Sequence, residues 1–313
     1  MALTGRVLKT TGSWSEVLLD NGRILNCRVK GKLRIGNVTT TNPVIVGDRV
    51  SVETDDVEDV GVIAEVADRH NYIVRASPGR KRQRHVLAAN IDQAMLVTTL
   101  VEPDFKPGFA DRFLVTCEAY HIPAVVVLSK EDLWHKASQE DATTASTYGM
   151  AGYEVVRVSA IKGWQVDEIR ELLAGKTTLV AGQSGVGKST LINKLIPGLD
   201  LKTAQLSGYT GKGIHTTTFA CMFALPDGGF LIDTPGVKEW SVTDMRPEEL
   251  AHYFPEFKAL MMDCRFNNCL HVDEPGCAVT EALATGRVAA SRYGSYLTIL
   301  GELRELAHWE IED

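Results

Sequence analysis

Residues 182–189 read Gly-Gln-Ser-Gly-Val-Gly-Lys-Ser, the spacing G-x-x-x-x-G-K-[ST] of a loop that wraps phosphate. Glycines let backbone N–H groups turn inward toward phosphate oxygens. Lys188 reaches the β- and γ-phosphates, and the Ser189 hydroxyl is a ligand for Mg2+. The candidate loop is Gly182, Gln183, Ser184, Gly185, Val186, Gly187, Lys188, Ser189 and Thr190. Its flanks suit it: Thr178–Ala181 has a strand's composition, and Thr190–Leu195 opens a helix whose N-terminus favours anions. Downstream, Asp233-Thr234-Pro235-Gly236 follows the apolar run 229–232. An acid at a strand end facing phosphate holds Mg2+ directly or through water, and the N–H of Gly236 can approach the γ-phosphate.

A phosphate loop does not choose the base. Guanine presents N1–H and an exocyclic amine, which one carboxylate can accept together. Asp132, in Ser129-Lys130-Glu131-Asp132 after the strand candidate Ala124–Leu128, fits that role. The Lys130 stem can cover the ring face. Ser159-Ala160, after the strand candidate Glu154–Val158, can supply a backbone N–H to the guanine carbonyl oxygen.

A second chemistry sits near the C-terminus. Cys264-x4-Cys269-x-His271-x5-Cys277 places three thiols and an imidazole close together, a ligand set for one tetrahedral Zn2+. Four protein ligands close the shell, so the expected role is structural. The spacing is not that of a DNA-reading finger with two cysteines and two histidines. Asp263, Arg265, Asn267 and Asn268 make the knuckle polar enough to face RNA or protein. Cys27, Cys117 and Cys221 are scattered and read as small buried apolar residues.

These residues need elements to hold them. The chain has 313 residues, 44% hydrophobic and 23% charged, which is globular composition and suggests two or three domains. Residues 1–68 contain short Val/Ile/Leu-rich segments separated by turns such as Asp20-Asn21-Gly22, so a small β-barrel of the OB-fold kind is expected. Residues 69–85 carry Arg69, Arg75, Arg80, Lys81, Arg82 and Arg84. Two readings stand for this basic entry stretch, taken as 69–90: a solvated linker, or a place to hold RNA phosphate. From there to about 240, strand candidates (93–99, 124–128, 154–158, 178–181, 219–225, 230–232) alternate with helices, which implies an α/β domain. Residues 241–313 read as helical around the cysteine cluster. Tyr293, Tyr296, Leu297, Leu300, Leu303 and Leu306 are expected on one helix face.

Lys+Arg 33 against Asp+Glu 40 gives a net charge of −7, so no global field attracts nucleic acid and any RNA contact rests on local patches. No apolar run nears the roughly 20 residues that span a bilayer, and the N-terminus lacks a signal-peptide core. A cytoplasmic location is expected.

The motifs occur in rotated order. The base motif (129–132) and Ser159-Ala160 precede the phosphate loop (182–189) and Asp-Thr-Pro-Gly (233–236). With a small barrel before and a cysteine cluster after, the chain resembles, over essentially its whole length, the RsgA (YjeQ) family of circularly permuted GTPases. That resemblance implies GTP hydrolysis stimulated by the small (30S) ribosomal subunit. It also implies contacts to 16S rRNA through barrel and zinc region, action late in subunit maturation, and release on hydrolysis, of itself and of other assembly factors. A nucleotide-regulated RNA-binding module without significant turnover is the alternative; intact Lys188, Ser189 and Asp233 argue against it. An ATPase is countered by Lys130 and Asp132.

The family's base motif usually begins with Asn, whose amide commonly contacts the base and ties nearby loops; Ser129 is shorter, so one guanine contact is expected to be lost or replaced by water. Residues 211–218, Gly-Lys-Gly-Ile-His-Thr-Thr-Thr, are similar to the family's first switch. Thr217 is the favoured Mg2+ ligand over Thr216 and Thr218, although the threonine run is also simple β-propensity. Many GTPases place Gln after D-x-x-G, where this chain has Val237. His215 is then the polar candidate to orient the attacking water, with loop stabilisation or an rRNA contact as the other reading. A pull from the second switch on the zinc region, through Val237–Met245, is also expected.

Overall fold

Alternating side chains build the N-terminal barrel. Along β2 (Trp14–Leu19), Ser15, Val17 and Leu19 are buried while their neighbours are half-exposed. Strands β1 (Leu3–Thr11), β3 (Ile24–Val29), β4 (Arg49–Thr54) and β5 (Val60–Val66) share this period of two. Inward-facing Val7, Val17, Leu25, Cys27, Val50, Val52 and Ile63 form one core. The strands pair β1–β2, β2–β3, β3–β5, β5–β4 and β4–β1, which closes the five-stranded barrel expected from residues 1–68. The structure is a computed structural model that describes residues 3–30, 43–54, 60–76, 84–201, 220–234, 240, 242 and 245–312. His215, Thr216, Thr217, Thr218 and Gly236 lie outside the described residues.

The chain forms two compact units, residues 1–94, 167–181 and 191–238 in one, residues 95–166, 182–190 and 239–313 in the other. In the first, the barrel does not stand apart. Lys9 of β1 pairs with Cys221 of β12 (Cys221–Ala224). β12 runs antiparallel to β13 (Phe230–Asp233), and β13 runs parallel to β11 (Thr177–Ala181). Arg6 of the barrel donates to the Thr177 hydroxyl at 2.7 Å and lies over the Phe230 ring at 4.7 Å.

The stretch read as an entry linker contains more structure than expected. β6 (Tyr72–Ala76) and β7 (Arg84–Ala89) form an antiparallel ribbon. Arg69 is also not available to phosphate: it pairs with buried Asp48 at 2.7 and 2.8 Å, and its side chain is 8% exposed. Neither was legible because a basic run looks the same whether solvated or paired. Arg80, Lys81 and Arg82 lie outside the described residues.

In the second unit, β9 (Ala124–Ser129) and β10 (Glu154–Arg157) are parallel neighbours. α1 (Pro107–Ala119) starts with Pro at its first turn, where a missing N–H costs nothing. The C-terminal region is packed on it. Val115 of α1 shares a core with Leu250, Phe254, Phe257, Tyr296, Ile299, Leu300 and Leu303. The long final helix, Ala290–Glu312, buries Tyr296, Ile299, Leu300 and Leu303, an i, i+3, i+4, i+7 stripe. Two residues expected on that face are instead exposed, Leu297 (37%) and Leu306 (43%). The chosen set spread over too wide an arc, and Ile299 takes the buried position. No described helix is long and apolar enough to cross a membrane.

Candidate functional site

Ser129, Lys130, Asp132, Ser159, Ala160 and residues 182–190 all belong to the second unit, although the base motif precedes the loop in the chain. The loop begins directly after β11, and the helix Lys188–Leu195 begins within it. A Cβ on Gly182 would stand 2.4 Å from the Val97 carbonyl oxygen, so no larger residue fits. Gly187 has φ +95°, a conformation L side chains rarely adopt, and its missing Cβ lies 3.6 Å from Ser129 Oγ. Between these glycines Val186 is buried while Ser184 and Gly185 are exposed, as are Ser189 and Thr190 beyond them.

Ser129 closes β9, at the carboxyl end where α/β sheets hold ligands. Its hydroxyl donates to the carbonyl of Val186, and its own carbonyl accepts from the Trp134 indole at 3.4 Å. Lys130 follows in the left-handed region, φ 56°, and its ammonium donates to the Glu102 carbonyl. The Glu102 carboxylate pairs with Lys136 at 2.7 Å; that hydrogen bond holds it below the ordinary glutamate range. A short 3-10 helix, Glu131–Lys136, then presents Asp132. Ser159 donates to one Asp132 oxygen at 2.5 Å and is itself fully buried. The turn around Ser159 is closed by the backbone of Trp164, whose carbonyl accepts from Ser159 N–H at 3.2 Å. Glu102, Trp134 and Trp164 were not singled out in the sequence; their roles depend on contacts across 5 to 28 positions.

Asp233 closes β13 in the first unit, 1% exposed and in register with Val180 of β11. The Thr234 hydroxyl donates to the Val180 carbonyl at 3.3 Å.

The candidate metal cluster is compact. One ligand atom each from Cys264, Cys269, His271 and Cys277 lies within 4.8 Å of the others. His271 Nδ1 is 3.6 Å from Cys264 Sγ and 3.4 Å from Cys277 Sγ. Burial lowers the His271 pKa, which favours the neutral imidazole a metal requires. Burial pushes the Cys269 thiol up to about 12, and a bound dication would reverse that. Tyr293 and Tyr296 fasten the loop by donating to the carbonyls of His271 (2.7 Å) and Leu270 (2.8 Å).

A family model described as RsgA GTPase matches residues 66–243. The chain belongs to the RsgA GTPase family. The model of the RsgA N-terminal domain matches residues 4–63, the closed barrel. A Bacteroides fragilis protein named small ribosomal subunit biogenesis GTPase RsgA is 46% identical over 304 residues, 97% of this chain and 98% of that one. A Christiangramia forsetii protein of the same name is 46% identical over 301 residues, 95% and 96% of the two chains. Among solved structures, YjeQ from Thermotoga maritima aligns at TM-score 0.76 and 34% identity, covering 97% of this chain and 99% of that one. YloQ, titled a circularly permuted GTPase, aligns at TM-score 0.72 and 29% identity, covering 97% and 96%. The rotated motif order and the N-terminal barrel are therefore family architecture. As an RsgA-family GTPase the chain hydrolyses GTP, a reaction that takes Mg2+ with the nucleotide.

Proposed function

We propose that this GTPase serves small ribosomal subunit biogenesis from the cytoplasm, with GTP hydrolysis releasing it, and other assembly factors, from the 30S subunit. The observation that carries the reading is the gathering of base motif, Ser159-Ala160 and phosphate loop in one unit, despite their rotated order. The names of the relatives support the biological half.

In this reading Asp132 accepts from guanine N1–H and the 2-amine, with Ser159 holding its other oxygen. Ala160 N–H donates to the guanine carbonyl, and Lys130 covers the ring. Residues 182–190 hold the phosphates, Lys188 neutralises the β- and γ-phosphates, and Ser189, Asp233 and Thr217 coordinate Mg2+. Gly236 N–H approaches the γ-phosphate. His215 orients water in place of the usual Gln; full subunit-stimulated turnover in His215→Ala would discard that role. Cys264, Cys269, His271 and Cys277 hold one structural Zn2+, which the donor set and closed four-ligand shell favour. The division of labour is barrel (1–68), GTPase region (69–240) and zinc region (241–313), with the outer two meeting 16S rRNA.

The test is GTP and ATP turnover with and without isolated small subunits. Slow GTP-specific turnover that rises with small subunits is expected; turnover indifferent to them would remove the ribosomal reading.

A further inference from the structure

Ser129 departs from the family's Asn, and the structure shows where its one proton goes. The hydroxyl donates to the Val186 carbonyl inside the phosphate loop, across 57 positions of sequence. The residue is 4% exposed, its carbonyl is engaged by the Trp134 indole, and Oγ packs 3.6 Å from where Gly187 would carry a Cβ. The edge of guanine away from its amine has two acceptors, O6 and N7, and reading either needs a donor. A serine has a single O–H, whereas an Asn amide has two N–H groups and can hold a carbonyl with one while offering the other. With its proton spent on Val186, Ser129 has nothing to give the base.

We propose that Ser129 is a positioning residue that clamps the base-reading strand end to the phosphate loop and does not itself read guanine. The inference rests on the assignment of this site to GTP. Clamping stabilises one loop geometry for whatever guanine nucleotide binds, so it contributes to affinity without contributing to base choice. Base choice stays with Asp132, whose second oxygen is held by Ser159.

The experiment is equilibrium titration of the full chain with GTP, GDP, 7-deaza-GTP and ATP, for the wild type, Ser129→Ala and Ser129→Thr. 7-Deaza-GTP replaces N7 by C–H, so it reports any donor aimed at that atom. Ser129→Ala leaves the Val186 carbonyl without its donor and is expected to weaken GTP, GDP and 7-deaza-GTP together, by about tenfold. The ratios of GTP to 7-deaza-GTP and of GTP to ATP affinity stay at their wild-type values. Ser129→Thr keeps the hydroxyl and recovers most of the lost affinity, which also covers the case in which the alanine variant does not fold. The proposal is overturned if the alanine variant binds as tightly as wild type, if it loses GTP selectively over 7-deaza-GTP, or if threonine binds no better than alanine. Wild-type protein that binds ATP as well as GTP would instead remove the guanine site, a result the same titrations separate.

Discussion

Asp132 illustrates how one side chain divides its work. One carboxylate oxygen accepts from Ser159, 27 positions away, which fixes the rotation of the group; in the proposed site the carboxylate also meets the donors of guanine. Replacing the carboxylate by an amide puts a donor opposite the donors of guanine. Asp132→Asn is therefore expected to lower GTP affinity by at least about a hundredfold, because a site built for a hydrogen bond strongly rejects a mismatched edge. Xanthosine triphosphate, which carries a carbonyl where guanine has the amine, should gain. Competitive titration with the two nucleotides checks both halves. Motif spacing alone made Asp132 a candidate, whereas the Ser159 contact depended on how two loops meet.

Among the elements, the final helix carries the least expected feature. Arg292 is 1% exposed, donating to Asp111 of α1 at 2.8 Å and to Glu256 at 2.7 and 3.1 Å. Burial works against its charge, but Asp111 and Glu256 outweigh it and hold the guanidinium's pKa well above the ordinary value. Tyr148 also donates to Asp111, at 2.9 Å. Removing the arginine strands two acids in the interior, so Arg292→Met should destabilise the protein by about 3–5 kcal/mol, read as a lower denaturant midpoint. The helix itself was readable from its apolar period. A buried arginine was not, because on a helical wheel it looks like any solvated charge.

Across the molecule, the expected pull of the second switch on the zinc region runs through Val237–Met245, most of which lies outside the described residues, whereas the zinc region's hold on α1 is described. The C-terminal helix shares a core with Val115, and Arg112 of α1 pairs with Glu302 through two short bonds, 2.5 and 2.6 Å. Spin labels placed on α1 and on the final helix should report the same distance with GDP and with a GTP analogue; a nucleotide-dependent shift would show that this shared core opens during the cycle. A Zn2+ held by Cys264, Cys269, His271 and Cys277 would contribute at the same level. Stripping the cation with a chelator under reducing conditions should lower Tm by at least about 5 °C, with Zn2+ restoring it, since metal-binding energy in such knuckles is folding energy. Acid should do the same as protons displace metal from the thiolates.

The barrel, and the candidate phosphate loop, base motif and metal ligands, could all be named from the chain alone, since each is a pattern of residue types within a short window. A strand announces itself through a period of two, and a ligand set through close spacing. What folding added were choices of partner: Ser129 for Val186, Arg69 for Asp48, Arg292 for Asp111 and Glu256, and the ribbon hidden in a basic stretch. A polar side chain's partner lies tens or hundreds of positions away and is selected by which groups are dehydrated together, which no local pattern encodes.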